Sequence, residues 1–320
     1  MKLGVMIEGQ EGLTWERWRA IMRRAEALGF ESLWRSDHYF SLMGRPERDA
    51  LETFTSLTLT AVETSRLRFG PLVAPVTFRH PTLVARMAAA IDQLSGGRLV
   101  LGLGAGWNVP EHQAFGLPFP PVRERMDMLE ESIQVIRALE APGKASFAGR
   151  YYRLENAEMH PKPVQRPLPI LVGGAGEQRT LQIVARYADE WNMFGAVPER
   201  IRAKSAVLAR HCERAGRDPA RIARSVMAAF VVGEDDTAIA RRLAALREIL
   251  PMLPPQGDAD LLRTLRERGW LVGRPQEVVE QIGAVAQEGV HRIMLQHHNQ
   301  TDFEALEIIA REVMPAVADL

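Results

Sequence analysis

The chain has 320 residues, of which 46% are hydrophobic and 25% are charged, and its 40 basic residues balance 40 acidic ones. This composition can build a sizeable core, while the neutral balance argues against a nucleic-acid partner or an anionic membrane surface. No stretch approaches the roughly 18 to 20 consecutive apolar residues of a membrane span. The single cysteine, Cys212, excludes an internal disulfide and is typical of a reducing compartment. Residues 1–5 resemble a first strand rather than a leader, so we expect a cytoplasmic protein.

Strand and helix signals alternate along the whole chain. Four strands are predicted at residues 3–7, 32–35, 67–73 and 99–103, with helices at 15–27, 52–64, 81–95 and 126–139. Four further strands are predicted at 169–172, 190–193, 225–232 and 292–295, with helices at 180–187, 199–215, 277–288 and 303–314. About eight strand–helix units are the number that closes a barrel. We therefore predict an α/β fold, a single (β/α)8 TIM barrel that spans residues 1–320 as one domain.

Two segments depart from the repeat. Residues 143–168, which follow the fourth strand and its helix, hold two tyrosines and then three prolines, with Pro169 directly after them, a pattern that favours a hairpin and an extended segment. Residues 234–270, which follow the seventh strand, are predicted to be helical with a break at 254–257. Long connections in barrels carry functional side chains. We interpret both segments as insertions and the second as a candidate lid.

Polar or glycine-rich segments follow three predicted strands, at residues 36–39, 104–107 and 173–176. The active site of a parallel barrel is built from loops at the carboxyl ends of the strands, so these segments should converge on one pocket. His38 suits acid–base work there, because imidazole exchanges a proton near neutral pH. Asp37 would fix the tautomer of His38 or contact a cofactor. The alternative is that Asp37 and His38 form a structural pair that caps the next helix.

The third of these segments predicts a phosphate site. Gly173, Gly174, Ala175 and Gly176 precede a predicted helix that contains Thr180. Backbone N–H groups at a helix N-terminus bind phosphate, and glycine allows the close approach that this needs. The alternative is an ordinary tight turn.

A second ionisable cluster, His297-His298-Asn299, closes the last predicted strand. Together with Asp37, His38 and His80 it leaves open a metal-dependent barrel hydrolase or isomerase. No His-x-His or His-Glu-x-x-His spacing occurs, so no metal ligand is assigned. A flavin-binding protein without turnover is a third alternative.

Eight short motifs together resemble one known family. They are SDH (36–38), PVTFRHP (75–81), DQLSGGR (92–98), GLGAGW (102–107), EHQAFG (111–116), PKPVQ (161–165), LVGG (171–174) and ARYADEWN (185–192). In this order, and over nearly the whole chain, they resemble the bacterial-luciferase-like monooxygenase superfamily. The segments at 104–107, 119–121 and 129–131 are most similar to its deazaflavin-dependent branch. The resemblance implies a TIM barrel that binds coenzyme F420, or alternatively FMN, and carries out redox chemistry on a small organic substrate.

The resemblance also implies roles for individual residues. It makes His38 and Asp37 catalytic, with His38 beside the reactive part of the cofactor, and it implies a non-prolyl cis peptide between Leu72 and Val73. The cofactor would contact Asp37, Leu72, Val73, Ala105, Gly106, Trp107, Gly173, Gly174, Ala175, Gly176, Asn192 and Phe194. Family members commonly dimerise through helices on the side of the barrel, so a homodimer is expected.

One position departs from part of the family. Some deazaflavin sugar-phosphate dehydrogenases have a glutamate where this chain has Trp107, which argues against transferring their acid catalyst and their substrate. Glu111 and His112, a few residues further on, are alternative candidates. We therefore expect an oxidoreductase that uses F420 to move a hydride to or from a small organic molecule. The alternative is a two-component monooxygenase that receives reduced FMN and activates oxygen.

Overall fold

Parallel strands form a barrel in the computed structural model, which describes residues 1–320. The strands are β1 (Lys2–Ile7), β2 (Ser32–Arg35), β3 (Arg68–Pro71), β4 (Ala74–Pro75), β5 (Leu101–Gly104), β6 (Ala145–Ala148), β7 (Arg153–Ala157), β8 (Ile170–Gly173), β9 (Glu190–Phe194), β10 (Ala223–Val232), β11 (Leu271–Gly273) and β12 (Arg292–Gln296). Their order in the main sheet is β3-β2-β1-β12-β10-β9-β8-β5-β4, and every pair along it is parallel.

The third barrel strand joins the two ends of this sheet. It is interrupted at Leu72 and Val73, so that its first part, β3, pairs with β2 and its second part, β4, pairs with β5. A parallel bridge between Phe69 and Leu99 adds a further link between the third and fourth strand positions. The predicted eight-stranded barrel is confirmed.

Helices surround the barrel. They are α1 (Trp15–Ala27), α2 (Thr53–Glu63), α3 (Pro81–Ser95), α4 (Val109–Ala114), α5 (Val122–Glu140), α6 (Thr180–Tyr187), α7 (Pro198–Ala215), α8 (Asp236–Ile249), α9 (Asp258–Glu267), α10 (Pro275–Ala286), α11 (Phe303–Ile308) and α12 (Met314–Val317). Local signals set their ends: the Thr14 hydroxyl accepts the Arg17 N–H at the start of α1, and Gly96 ends α3 at φ +66°. No helix has the length and apolar character needed to cross a membrane.

The barrel itself has two buried clusters, one outside and one inside the sheet. A cluster of 66 buried residues lies mainly between the sheet and the helices. The strands are apolar on both faces because the barrel interior is also filled, as expected for a parallel sheet. The interior cluster contains Met6, Trp34, Leu72, Val100, Leu171 and Met294. The barrel is therefore a packed support, and its chemistry belongs at the rim.

The two segments that depart from the repeat contain regular structure. In the first, β6 and β7 form an antiparallel hairpin, and the His160–Pro161 and Arg166–Pro167 bonds that follow are cis. In the second, α8 and α9 pack on β10 and β11 around a separate cluster of ten buried residues that includes Leu243, Leu261 and Trp270. Met43, from the loop after β2, also packs against this cluster. The loop after β2 and the helical segment are thus in contact.

Candidate active site

His38 and Glu111 form a buried pair at the carboxyl end of the barrel. His38 follows β2, and its Nδ1 lies 2.9 Å from Glu111 Oε1 and 3.2 Å from Oε2. Glu111 belongs to the short helix α4 after β5 and also accepts the Tyr39 N–H at 3.1 Å. The Glu111 side chain is only 1% exposed and that of His38 is 11% exposed. The carboxylate fixes the orientation of the ring and leaves Nε2 as the unengaged ring nitrogen.

The pKa of His38 reflects two opposing effects. Burial lowers the pKa, because it disfavours the charged ring. The hydrogen bond to Glu111 and its charge raise it, with smaller contributions from the charges of Glu8 and Asp37. The second effect is the greater, so the pKa lies above the ordinary value for histidine. His38 therefore holds a proton more readily than an ordinary histidine.

Asp37 has a different partner from the one expected. Arg79 donates to both of its carboxylate oxygens, at 2.6 and 3.2 Å, and also to Glu52 at 2.8 Å. Asp37 makes no hydrogen bond to His38, so the prediction that it fixes the tautomer of His38 is wrong, and Glu111 has that position. The helix-capping alternative is not seen either, because the Glu52 side chain accepts the N–H at the start of α2. Asp37 instead fixes the loop after β2 to Arg79.

A bulge at Leu72 and Val73 lies at the rim. The peptide bond between these residues is cis, as the resemblance implies. Leu72 is buried in the barrel interior, whereas Val73 is partly exposed. The Val73 side chain rests on two glycines: a Cβ at Gly104 would lie 2.6 Å from Val73 Cγ2, and one at Gly173 would lie 3.0 Å from Cγ1. The ends of β3, β5 and β8 thus meet around Val73.

The segment after β5 is held in place by the Thr77 and His112 side chains beneath it. Gly106 has φ +76°, and a Cβ on it would lie 2.8 Å from Thr77 Oγ1. The Thr77 hydroxyl is 2.8 Å from His112 Nε2, and His112 Nδ1 is 2.7 Å from the Asn108 carbonyl. Because both ring nitrogens of this buried histidine are engaged, His112 is a support. Ala105 is half-buried at the edge of the core.

Trp107 brings two of the predicted segments together. It is 66% exposed. The ring of His38 meets its indole edge to face, with centroids 5.8 Å apart. The loop after β2 and the loop after β5 therefore share one surface at the rim.

The glycine segment after β8 has free backbone donors. The N–H groups of residues 175–178 make no hydrogen bond within the chain, whereas the Gly174 N–H donates to the Asn192 carbonyl at 2.9 Å. Gly174 has φ +123°, and its carbonyl accepts the Trp191 indole N–H at 2.7 Å. The segment leads into α6, and Arg179, just before this helix, donates from Nη2 to Asp127 at 2.5 Å and to Glu130 at 3.1 Å. The free backbone N–H groups of the loop suit a phosphate, whereas the Arg179 guanidinium is already paired.

The residues after β9 divide between core and rim. Asn192 is buried and donates to Ser225 Oγ at 3.0 Å, while Phe194 is 43% exposed.

The histidines after β12 stack on aromatic rings, His297 on Phe230 and His298 on Trp270. No group of three or more His, Cys, Asp or Glu side chains is arranged to hold a metal ion. The metal-dependent alternative thus has no set of ligands to support it.

The comparisons with known proteins agree with this architecture. A sequence profile described as luciferase-like monooxygenase matches residues 1–292. The chain belongs to the luciferase-like monooxygenase family. The family predicted from the eight motifs is therefore confirmed.

Proteins similar to this luciferase-like chain differ in cofactor. An F420-dependent hydroxymycolic acid dehydrogenase of Mycobacterium tuberculosis is 34% identical over 240 residues, which cover 74% of this chain and 64% of that protein. This chain thus spans less than two thirds of that relative's length. An FMNH2-dependent dimethylsulfone monooxygenase of Pseudomonas putida is 27% identical over 326 residues, which cover 94% and 88% of the two chains.

A solved structure gives the same fold. The coenzyme F420 dependent tetrahydromethanopterin reductase from Methanopyrus kandleri superposes with a TM-score of 0.79 at 21% identity, over 98% of each chain. At this identity the likeness concerns the fold alone.

Two residues of this luciferase-like site were missed or undervalued in the sequence. Arg79, the partner of Asp37, lies within a family motif but carries no local signal that names its partner. Glu111 was only an alternative acid, although it holds the central histidine. A signal for Glu111 did exist, because it lies within the family motif EHQAFG a few residues after the fourth predicted strand, where rim side chains are expected.

Proposed function

We propose that this chain is an oxidoreductase that binds coenzyme F420 and moves a hydride to or from a small organic substrate. The observation that carries the proposal is the buried His38–Glu111 pair at the rim of the barrel. It supplies a proton carrier whose ring is oriented and whose pKa is raised. The similarity to F420-dependent proteins supports the choice of coenzyme.

The residues at the rim fit a coenzyme with a phosphate group and a flat ring. The free N–H groups of residues 175–178 would hold the phosphate. Val73 would support the ring from behind, while Trp107 and Phe194 offer exposed aromatic surface beside it. Ala105, Gly106, Gly173 and Asn192 would shape this site through the backbone and the packing beneath it. When bound, the coenzyme supplies hydride chemistry.

His38 would supply the proton that balances the hydride. In the reducing direction, a substrate oxygen gains negative charge as hydride reaches its carbon, and His38 donates a proton to that oxygen from Nε2. In the oxidising direction, Nε2 takes the proton back. Glu111 stabilises the charged ring at both stages, since its carboxylate stays beside Nδ1. Asp37, held by Arg79, would keep the loop that carries His38 in place.

An anaerobic assay tests the proposal. With oxygen excluded, a carbonyl substrate should oxidise reduced F420 in the presence of the wild-type chain, and His38→Gln should slow this by about 100-fold or more. His160→Gln is the matched control, because His160 is an exposed histidine that also pairs with a glutamate. Oxygen uptake with reduced FMN, and none of this hydride transfer, would instead support the FMN alternative, which the Pseudomonas relative favours.

We further propose that residues 1–320 act as one cytoplasmic domain that forms a homodimer. A groove of about 790 Å³ lies on the side of the barrel among α1, α2 and α3. Its lining includes Trp15, Val62 and Leu94, large apolar side chains that are 41–58% exposed. A contiguous apolar patch of this kind is typical of an interaction site. The single buried cysteine is consistent with a reducing compartment.

A further inference from the structure

An aromatic wall in two parts lies beside His38. One part is Trp107, which contacts the His38 ring, and the other comprises Tyr39, Phe40, Phe78 and Phe115, which contact one another. The Tyr39 ring centroid lies 4.8 Å from that of Phe78 and 4.7 Å from that of Phe115. Phe115 is 51% exposed. Monomeric proteins rarely leave large apolar side chains together in contact with water unless a ligand or partner covers them.

The charges around this wall are unfavourable for an anionic ligand. Glu111 touches His38, and Glu8 and Asp37 act on the same ring through their charge. The negative charge of three carboxylates thus acts on the ring that would meet the substrate. A phosphate or carboxylate placed there would be repelled, since like charges at short range in a partly buried site are costly.

The cations beside the wall are already engaged. Arg79 is held by Asp37 and Glu52. Arg125 donates to the backbone carbonyls of Gly106 and Pro120, and its guanidinium lies 3.8 Å from the centroid of the Phe119 ring. The guanidinium groups of Arg79 and Arg125 are therefore occupied by contacts within the chain and are not available to bind an anionic ligand. The wall therefore offers apolar contact without a built anion site.

We infer that the substrate is an uncharged molecule with an apolar or aromatic body, whose reacting carbonyl or alcohol carbon is held beside His38. This inference rests on the proposed function and specifies its substrate class. The wall would bind the body of the substrate, and Nε2 of His38 would meet its oxygen. One relative is a glucose-6-phosphate dehydrogenase. A phosphorylated sugar does not suit the aromatic, acid-flanked surface of this chain.

Binding of a homologous series tests the substrate class. The ketones 2-butanone to 2-octanone are titrated by calorimetry into the chain with bound oxidised F420 and into the chain alone, next to hexanoate and glucose 6-phosphate. Affinity should rise about fourfold per methylene, the factor for burying a CH2 group. The two anions should bind at least tenfold more weakly than the ketone of similar size. A flat series, or tighter binding of either anion, would overturn the inference.

Two variants link that result to the wall. Phe115→Arg should remove most of the chain-length dependence and improve hexanoate binding, while Val164→Ala, at an exposed position outside the wall, should leave both unchanged. Far-ultraviolet circular dichroism and F420 affinity check that each variant is folded. An unchanged ketone series in a folded Phe115→Arg protein would also overturn the inference. Failure of F420 to bind the wild-type chain is a separate result, which removes the proposed function whatever the ketones do.

Discussion

At the scale of single residues, the chemistry depends on one carboxylate held against one imidazole. Burial alone would leave His38 neutral at physiological pH, because it lowers the pKa of the ring. Glu111 reverses this through a hydrogen bond and its charge. A raised pKa in the folded state contributes stability below about pH 6.5, the ordinary histidine value, and this stability is lost as pH rises through the folded-state pKa.

Replacement of Glu111 should make His38 a stronger acid. In Glu111→Gln the ring stays buried but loses its counter-charge, so its pKa should fall relative to wild type, and the pH profile of hydride transfer should move to lower pH. Proton NMR of the histidine Cε1–H signals measures the shift. Glu158→Gln removes the carboxylate partner of exposed His160 and should leave His38 as it is. An unchanged His38 midpoint in Glu111→Gln would refute the assigned role of Glu111.

His297 should make the fold sensitive to acid. It is fully buried, and burial lowers its pKa to about 4. The folded chain therefore binds fewer protons than the unfolded chain between about pH 6.5 and 4, and stability should fall by on the order of 3 kcal/mol as pH drops through this window. Urea unfolding across the window should show a smaller acid loss in His297→Gln than in wild type. His160→Gln should keep the wild-type dependence, and equal acid losses in all three would contradict the assignment.

For single residues, the sequence predicted which residues lie at the rim better than it predicted their hydrogen-bond partners. His38 and the glycines at 173, 174 and 176 were predicted to lie at the rim because each follows an apolar strand, and the structure places them at the ends of β2 and β8. Glu111 was not paired with His38, since the two are 73 residues apart and only the fold brings them together. Asp37 was given the wrong partner for a related reason: proximity in sequence suggested His38, whereas its hydrogen bonds go to Arg79, 42 residues away.

At the scale of elements, glycines let the strand ends approach one another. Gly104 at the end of β5 and Gly173 at the end of β8 leave room for Val73 at the break between β3 and β4. A side chain at either position would occupy space that Val73 fills. Gly104 and Gly173 thus determine where Val73 lies behind the proposed coenzyme site, because they have no side chain.

Alanine at position 104 tests this packing. Gly104→Ala would place a Cβ 2.6 Å from Val73 Cγ2 and should destabilise the fold by about 1–3 kcal/mol, the usual cost of overpacking. Gly283→Ala in α10, where nothing lies within 4 Å, should be neutral or stabilise by up to about 1 kcal/mol. In urea unfolding, the double variant Val73→Ala, Gly104→Ala should recover part of the loss. Strict additivity of the two substitutions would argue against direct contact.

Long elements were predictable and short ones were not. The eight barrel strands and their main helices carry apolar runs or a three-to-four spacing long enough to detect. Strand β11 has three residues and α4 has six, too few for a periodic signal. The break within the third strand was implied by the family resemblance rather than by the residue pattern. Glu111 belongs to α4. Because this helix was not predicted, the hydrogen bond between Glu111 and His38 was not predicted either.

At the scale of the whole molecule, the barrel has two kinds of exposed apolar surface. One is the aromatic wall at the rim, and the other is the groove along α1, α2 and α3. The alternation of strands and helices in the sequence predicted the barrel. It did not predict either apolar surface, because the exposure of a side chain depends on what the folded chain leaves uncovered.

The side groove should hold the dimer together. Leu94→Glu puts a charge into the groove and should convert a dimer to a monomer in sedimentation velocity at micromolar concentration, because an unpaired buried charge is costly. Met252→Glu alters a similarly exposed apolar residue between α8 and α9 and should leave the dimer intact. A wild-type chain that is already monomeric, or a Leu94→Glu dimer, would contradict this assignment.

Parallel titration of the chain with F420 and with FMN is the most direct test of whether this barrel binds coenzyme F420 for hydride transfer. Both cofactors are added in oxidised and in reduced form, and cofactor fluorescence reports binding to wild type and to Gly174→Val, which forces a branched residue to adopt φ +123° in the glycine segment. We expect F420 to bind more tightly than FMN, and we expect Gly174→Val to weaken F420 binding at least tenfold. Tighter binding of FMN, or binding of neither cofactor, would contradict the proposed use of F420.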